Sequence, residues 1–246
     1  MYPNYEPLVA LGAAAAVTER IDLTTAIAIL PYRLSPAIDA KQAATVHALS
    51  GGRLVLGVAI GAREDDYEAA GASMEARGRQ LDEMLEEIER IWAGEERGHA
   101  GAIGPDVSAS PPPILVGGMV PAAFRRAARF GAGWIMGGGT PDQFREASEK
   151  VRSAWSEAGR EGAPRTAALA YFSLGDRAEE EARASVGHYY DWLGEYADAI
   201  VGSVAKDEET VRQYVAAFDE AGCDELIMFP SSADPDQVDR LAAAAL

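Results

Sequence analysis

The segment 114–139 most constrains what this chain can fold into, because its pattern is that of a strand, a glycine turn, a helix and a second strand. The apolar run at 114–116 is typical of a strand buried on both faces, and Gly117 and Gly118 follow it directly. Pro121 suits the first turn of a helix, where the N–H group that proline lacks would have no partner within the helix. A second apolar run and a second glycine cluster follow, so the segment predicts two consecutive strand ends.

Glycine turns between a strand and a helix are able to hold an anion. Without Cβ atoms the backbone can approach a ligand closely, and the free N–H groups and the helix dipole favour a phosphate group. Gly117 and Gly118 form the first such turn, and Gly137 and Gly138 form the second. One turn alone is better explained as a tight connection of an α/β fold, whereas two successive turns favour a ligand site.

Six apolar runs along the chain predict strands. They lie at 21–30, 53–60, 114–116, 134–136, 166–174 and 225–229. Patterns with helical spacing separate these runs, and the alternation predicts a parallel sheet with helices outside it, in the α/β class. An open doubly wound sheet and a closed barrel both have this pattern. Because no G-x-G-x-x-G motif follows a first strand, the dinucleotide-binding fold is disfavoured.

The connecting segments differ in character. Residues 62–77 are rich in charge and predict a loop, and the Gly, Ser and Pro residues of 94–113 predict a second, irregular loop. Residues 178–196 predict one helix that is acidic at first and aromatic later. Residues 237–246 predict a closing helix.

The net charge of the chain limits the kinds of partner that it can bind. The 22 basic and 39 acidic residues give a formal net charge of −17, which argues against nucleic acid and anionic membrane surfaces as partners. No run of about 18 apolar residues and no signal peptide is found, so a membrane association is not expected. The single cysteine excludes an internal disulfide framework and predicts a cytoplasmic protein.

The histidines and the cysteine predict no separate reactive centre. His47, His99 and His188 are widely spaced and belong to no metal-binding motif, so we expect no zinc site. His47 is expected at the surface or near the end of its helix. Cys223 is expected to be a small buried residue rather than a nucleophile.

Four segments of the chain resemble the luciferase-like flavin-dependent oxidoreductase family, and within it the members that use coenzyme F420. They are AAAAVTERIDLTTAIAILPYR at 13–33, AKQAATVHALSGGRLVLGVAIGAREDDYEAAG at 40–71, PPILVGGMVPAAFRRAARFGAGW at 112–134 and AGCDELIMFPSSADPDQVDRL at 221–241. The segments occur in the order of the family and span nearly the whole chain. Such a set is much more specific than one glycine motif.

The resemblance implies a (β/α)8 TIM-barrel-type fold, of which six parallel strands are recognisable here, as a single domain over 1–246. The cofactor is then expected at the carboxyl ends of the strands. In such enzymes a bulge in the third strand carries a non-proline cis peptide behind the central flavin ring. The matching position here is Ala26–Ile27.

The resemblance also assigns cofactor-binding residues. They are Ala26, Ile27, Ile60, Gly61, Ala62, Gly117, Gly118, Met119, Gly137 and Gly138. Bacterial luciferases have an arginine that contacts the phosphate where this chain has Ile60, so the resemblance favours F420 and leaves FMN as the alternative. Arg63, Glu64 and Asp65 match a charged segment beside the pocket, and a solvated loop explains them equally well.

The start of the chain departs from the family. Members begin with a strand, a helix and a second strand before the segment that is matched from Tyr5 onward, and these elements are not present. We therefore expect that the barrel is incomplete at its N-terminus. Because the second of those strands commonly ends with a histidine or acidic residue near the reactive ring, no catalytic residue is assigned.

Three functional hypotheses remain from the sequence. The first is an F420-dependent oxidoreductase that transfers a hydride between the deazaflavin and a small-molecule substrate at the carboxyl face of the barrel. The second is an FMN-dependent monooxygenase that uses reduced flavin and oxygen. The third, from another class, is a non-catalytic relative or partner subunit. The family resemblance further implies a homodimer.

Overall fold

The structure is a computed structural model, and it describes residues 5–245. Contacts divide the chain into two compact units, each described below by itself. The first unit contains residues up to 135 together with 150–165, and the second contains 136–149 and the residues from 166 onward. Residues 1–4 and 246 of the predicted domain lie outside the described residues, and a single domain over 1–246 stays a prediction.

The first unit is built from short strands and the helices that connect them. Its strands are β1 (Leu23–Thr24), β2 (Ala28–Ile29), β3 (Leu54–Ala59), β4 (Ile114–Gly117) and β5 (Gly133–Met136), and the last residue of β5 belongs to the second unit. Its helices are α1 (Pro7–Val17), α2 (Pro36–Leu49), α3 (Glu64–Ala70), α4 (Arg77–Trp92) and α5 (Pro121–Phe130). Helix α6 (Pro141–Glu157) begins in the second unit and ends in the first.

All strand pairs of the first unit are parallel. Strands β1 and β2 both pair with β3, β3 pairs with β4, and β4 pairs with β5. Every residue of β4 and β5 is buried, as expected of strands with both faces covered. The carboxyl ends of β2, β3 and β4 therefore lie at one edge, as the alternating sequence pattern predicts.

The predicted strand 21–30 is divided into β1 and β2 by a bend. The predicted non-proline cis bond between Ala26 and Ile27 is confirmed and lies within the bend. At the start of the bend, the Thr25 hydroxyl donates to the carbonyl of Gly57, 2.8 Å away. A Cβ on Gly57 would lie 2.0 Å from the carbonyl oxygen of Thr25, so the glycine permits the close approach of the two backbones.

The prediction that 62–77 is entirely a loop is wrong, because α3 forms within it. The Tyr67 side chain is 1% exposed, and its burial stabilises a helix that the charge of the segment does not suggest. Gly71 ends this helix with a φ of +66°. The segment 94–113 is irregular, as predicted, apart from a 3-10 turn at Gly98–Ala100 and one isolated bridge.

The second unit contains the remaining strands and helices. They are β6 (Arg165–Phe172, whose first residue belongs to the first unit), β7 (Glu225–Pro230), α7 (Ala178–Ala182), α8 (His188–Tyr190), α9 (Glu195–Gly202), α10 (Glu208–Glu220) and α11 (Asp236–Ala245). Strand β6 pairs with β7 in parallel, and Phe172, Leu174 and Val211 form part of the core beside them.

The prediction of one helix over 178–196 is wrong. A π-helical turn at Arg183–Gly187 and a 3-10 turn at Asp191–Leu193 interrupt it. Gly194, with a φ of +59°, then separates these turns from α9. A hydrophobic periodicity alone does not reveal these interruptions.

Helix α1 has no charged side chain along its 11 residues. Leu8 and Ala15 are buried on one side of it, whereas Val9 and Val17 on other sides are 68% and 83% exposed. Helix α1 is apolar but short, with 11 residues. Among residues 5–245 no helix is both long and apolar enough to cross a membrane.

Candidate cofactor site

Residues from the ends of β3 and β4 and from the bend before β2 meet at the carboxyl edge of the first unit. A Cβ on Gly117, the last residue of β4, would lie 2.9 Å from Cδ1 of Ile27 and 3.2 Å from Cβ of Ala59. The side chain of Ile27 thus reaches from the cis peptide Ala26–Ile27 to the ends of β3 and β4. The absence of a side chain on Gly117 lets the side chains of Ile27 and Ala59 pack closely against it, and we call these three residues the cradle.

Glycines also shape the two turns that leave this edge. Gly61 follows β3 with a φ of +68°, and a Cβ there would lie 2.9 Å from Cγ2 of Ile29. Gly118 follows β4 with a φ of +128°, and a Cβ there would lie 2.8 Å from Cβ of Ala123. Both positions combine positive φ with close contacts, so each turn requires glycine.

Two buried aromatic side chains hold these turns. The Tyr67 hydroxyl donates to the carbonyl of Ile60, and the Trp134 indole N–H donates to the carbonyl of Gly118 at 2.7 Å. Burial raises the pKa of Tyr67 to about 12, so the hydroxyl keeps its proton at neutral pH. Sequence reasoning missed both residues, although a lone tyrosine in the charged segment 62–77 was a usable signal.

The predicted residues of the first unit differ in how far they are buried. Ala26, Ile27, Ile60, Gly61 and Gly118 are half-buried, Gly117 is buried, and Ala62 and Met119 are exposed. The structure therefore brings Ile27 and Gly117 into one cradle and places the turns after β3 and β4 beside it. Their role in binding a cofactor stays a prediction.

The second predicted glycine turn lies in the second unit. Gly137 and Gly138 are exposed and follow β5 directly. Gly138 has a φ of +134°, and a Cβ there would meet nothing within 4 Å. The local geometry is therefore that of an open glycine turn, and its part in binding stays a prediction.

The charged segment beside the first turn is internally paired. Arg63 forms ion pairs with Asp65 and Asp66, and Glu64 begins α3. The hydrogen bond from Arg63 lowers the pKa of Asp65. These ion pairs neutralise much of the charge of Arg63. They are compatible with both explanations of the segment, a charged segment beside the pocket and a solvated loop.

The histidines and the cysteine form no reactive cluster. Within residues 5–245 no group of three or more His, Cys, Asp or Glu side chains could hold a metal ion. Of the two expectations for His47, its place near the end of its helix is confirmed, since it lies in the last turn of α2, whereas a surface position is wrong because it is 5% exposed. Its Nε2 lies 3.1 Å from the carbonyl oxygen of Ser110, so it joins α2 to the irregular segment. The Cys223 thiol donates to the carbonyl of Glu225, and burial raises its pKa to about 11, so it is not an activated nucleophile.

The residues at the cradle fit a flat, uncharged ring better than a metal ion. Glycine, alanine and isoleucine side chains supply no ligand atoms for a metal, whereas glycine turns supply backbone N–H groups and room for a phosphate or a ring carbonyl. Ile60 cannot form an ion pair with a phosphate. The cradle is thus compatible with a flavin-like ring beside Ile27 and Gly117.

The parallel strands, their connecting helices and the glycine-lined carboxyl edge place the chain in the class of TIM-barrel-type α/β proteins. A sequence model of the luciferase-like monooxygenase family matches residues 1–239. The chain belongs to this family of oxidoreductases.

Individual relatives agree with this assignment. An uncharacterized protein of Mycobacterium tuberculosis is 37% identical over 165 residues, which are 64% of this chain and 57% of the relative. Pyrimidine monooxygenase RutA of Stutzerimonas stutzeri is 28% identical over 223 residues, or 81% of this chain and 61% of RutA. The chain therefore spans about three fifths of the length of these relatives.

A solved structure agrees in fold. An F420-dependent secondary alcohol dehydrogenase in complex with an F420–acetone adduct has a TM-score of 0.79 to this chain, at 20% identity, and the match covers 98% of this chain and 83% of the dehydrogenase. Identity at this level shows likeness of fold alone.

Proposed function

We propose that this chain is an F420-dependent oxidoreductase that transfers a hydride between the deazaflavin and a small organic substrate. The observation that carries the proposal is the cradle beside the carboxyl ends of β3 and β4, where Ile27, Ala59 and Gly117 pack together into an apolar surface against which a ring could lie. When bound, the deazaflavin would supply the hydride acceptor or donor. The chain would hold the ring against Ile27 and Ala59 and exclude water from its buried face.

The apolar side chain at the end of β3 supports F420 over FMN. Ile60 stands where luciferases have an arginine that contacts the phosphate, so this chain offers no ion pair at that position. Uncharged backbone donors of the glycine turns would then bind the cofactor's oxygen atoms.

A second candidate is an FMN-dependent monooxygenase. The match to RutA supports it, because that match covers 81% of this chain. In this case the same cradle would hold the flavin ring, and the substrate would be oxidised by oxygen.

A binding titration separates these candidates. The purified chain is titrated with F420 and, separately, with FMN, and the fluorescence of each cofactor is followed. Binding of F420 with little affinity for FMN supports the first candidate, and the reverse preference supports the second. Binding of neither cofactor by the folded chain would overturn both and favour a non-catalytic relative or partner subunit.

We also propose that the chain is a cytoplasmic homodimer, with the outer face of α1 in the interface. A helix that is apolar on all sides is normally buried, and Val9 and Val17 on this face are exposed in the single chain. The net charge of −17 opposes the approach of two copies elsewhere, whereas α1 has no charged side chain. The single cysteine agrees with a reducing compartment.

A further inference from the structure

The turns that follow β3 and β4 share one arrangement. In each turn, the carbonyl just beyond the strand accepts a hydrogen bond from a buried aromatic side chain: Tyr67 donates to Ile60, and Trp134 donates to Gly118. Tyr67 is 1% exposed and Trp134 is 0% exposed. Each of these two carbonyls therefore points into the protein.

The geometry of the peptide bond fixes where the neighbouring N–H groups point. The bonds Ile60–Gly61 and Gly118–Met119 are both trans. In a planar trans peptide the C=O of one residue and the N–H of the next point in opposite directions. Because the two carbonyls point at buried side chains, the N–H groups of Gly61 and Met119 point away from them.

These two N–H groups remain available as donors. Among the hydrogen bonds of residues 5–245, none starts from the N–H of Gly61 or of Met119. Gly61 is half-buried and Met119 is 45% exposed, so a ligand at the carboxyl edge could reach both. A backbone donor without a partner needs an acceptor from water or from a ligand.

We propose that Tyr67 and Trp134 are positioning residues, which turn the N–H groups of Gly61 and Met119 outward to bind oxygen atoms of the cofactor. The inference rests on the proposed function and extends it to residues outside the cradle. Neither aromatic side chain touches the ligand. Each acts through one peptide plane.

The high pKa of Tyr67 agrees with this role. With a pKa of about 12 the hydroxyl stays protonated and remains a donor over the whole range in which an oxidoreductase is assayed. An indole N–H does not titrate in that range. Both peptide planes are therefore held independently of pH.

The test uses Tyr67→Phe and Trp134→Phe, each of which removes one donor and keeps an aromatic ring. Tyr214→Phe and Trp92→Phe are matched controls, since these side chains also donate to backbone carbonyls, at 2.6 and 3.0 Å, but to Ser203 and Ala40, which belong to neither turn. All four variants are compared with the wild-type chain at equal folded concentration.

The first measurement needs no ligand. In Tyr67→Phe we expect the ¹³C carbonyl resonance of Ile60 to move while that of Gly118 stays, and in Trp134→Phe the opposite. If the two substitutions acted only by disturbing the structure as a whole, both resonances would move in both variants. The controls should leave both resonances in place. If neither carbonyl responds to its own variant, the hydrogen bonds do not hold the turns and the inference is overturned.

The second measurement adds F420. In the wild-type chain we expect the ¹⁵N amide resonances of Gly61 and Met119 to shift on binding. Tyr67→Phe should abolish the shift of Gly61 alone and Trp134→Phe that of Met119 alone, each with an affinity loss of about tenfold or more, as for a lost hydrogen bond to a charged acceptor. Wild-type affinity in both variants would overturn the inference. Absence of F420 binding to the wild-type chain would instead overturn the proposed function, whatever the carbonyl resonances show.

Discussion

At the scale of single residues, glycines decide where the backbone of the first unit can come together. Gly57 admits the carbonyl of Thr25, and Gly117 admits the side chain of Ile27. The sequence predicts Gly117 as part of an anion-binding turn because it lies between a strand and a helix. It does not reveal the contact with Ile27, because that contact joins segments 90 residues apart along the chain. Only the family resemblance pointed to Ile27.

Gly57→Ala should strongly destabilise the protein. A Cβ would lie 2.0 Å from the backbone oxygen of Thr25, which no side-chain rotation can relieve, so we expect the free energy of unfolding to fall by about 3 kcal/mol or more. Gly12→Ala is the matched control. Gly12 lies within α1, and a Cβ there would be 3.9 Å from Cγ2 of Val46 on α2, so helix propensity should raise stability by up to about 1 kcal/mol. Urea unfolding followed by circular dichroism measures both, and equal stability of the two variants would contradict the structure.

At the scale of elements, the sequence predicts which segments are strands and helices better than where they break. The division of 21–30 into β1 and β2 and the helix α3 within 62–77 both depend on distant partners, namely Gly57 and the pocket that buries Tyr67. The cis bond at Ala26–Ile27 was predicted from the family, because no local pattern distinguishes it from a trans bond. The aromatic donors were missed because their acceptors are backbone carbonyls, which carry no sequence signal.

The burial of Tyr67 predicts a pH dependence for the anchoring of α3. Its pKa of about 12 in the folded protein lies above the ordinary value of 10, so the unfolded chain releases this proton first. The stabilisation is complete below pH 10 and is lost as the pH rises toward 12. In Tyr67→Phe, we therefore expect the free energy of unfolding to fall less steeply over this range than in the wild-type chain. Parallel curves for the two proteins, measured by urea unfolding at each pH, would contradict this assignment.

At the scale of the whole molecule, the proposed homodimer predicts a mass of twice the 26.0 kDa chain in sedimentation. Val9→Lys should shift the equilibrium toward the monomer, because it places a charge on the apolar face of α1. Val238→Lys is the control, since Val238 on α11 is equally exposed at 68% and lies in the second unit. A wild-type monomer, or an equal effect of the two substitutions, would exclude α1 as the interface.

The central claim is that the cradle beside the ends of β3 and β4 holds the cofactor ring, and Gly117→Ala tests it most directly. The added Cβ would lie 2.9 Å from Ile27 and 3.2 Å from Ala59, so Ile27 must move away from Gly117 and the surface against which the ring would lie is displaced while the fold remains. Overpacking of this kind costs about 1–3 kcal/mol, so in a fluorescence titration we predict that Gly117→Ala binds F420 about tenfold or more weakly than the wild-type chain. Gly12→Ala should bind F420 as tightly as the wild-type chain. Equal affinity of the wild-type chain and Gly117→Ala would contradict the account.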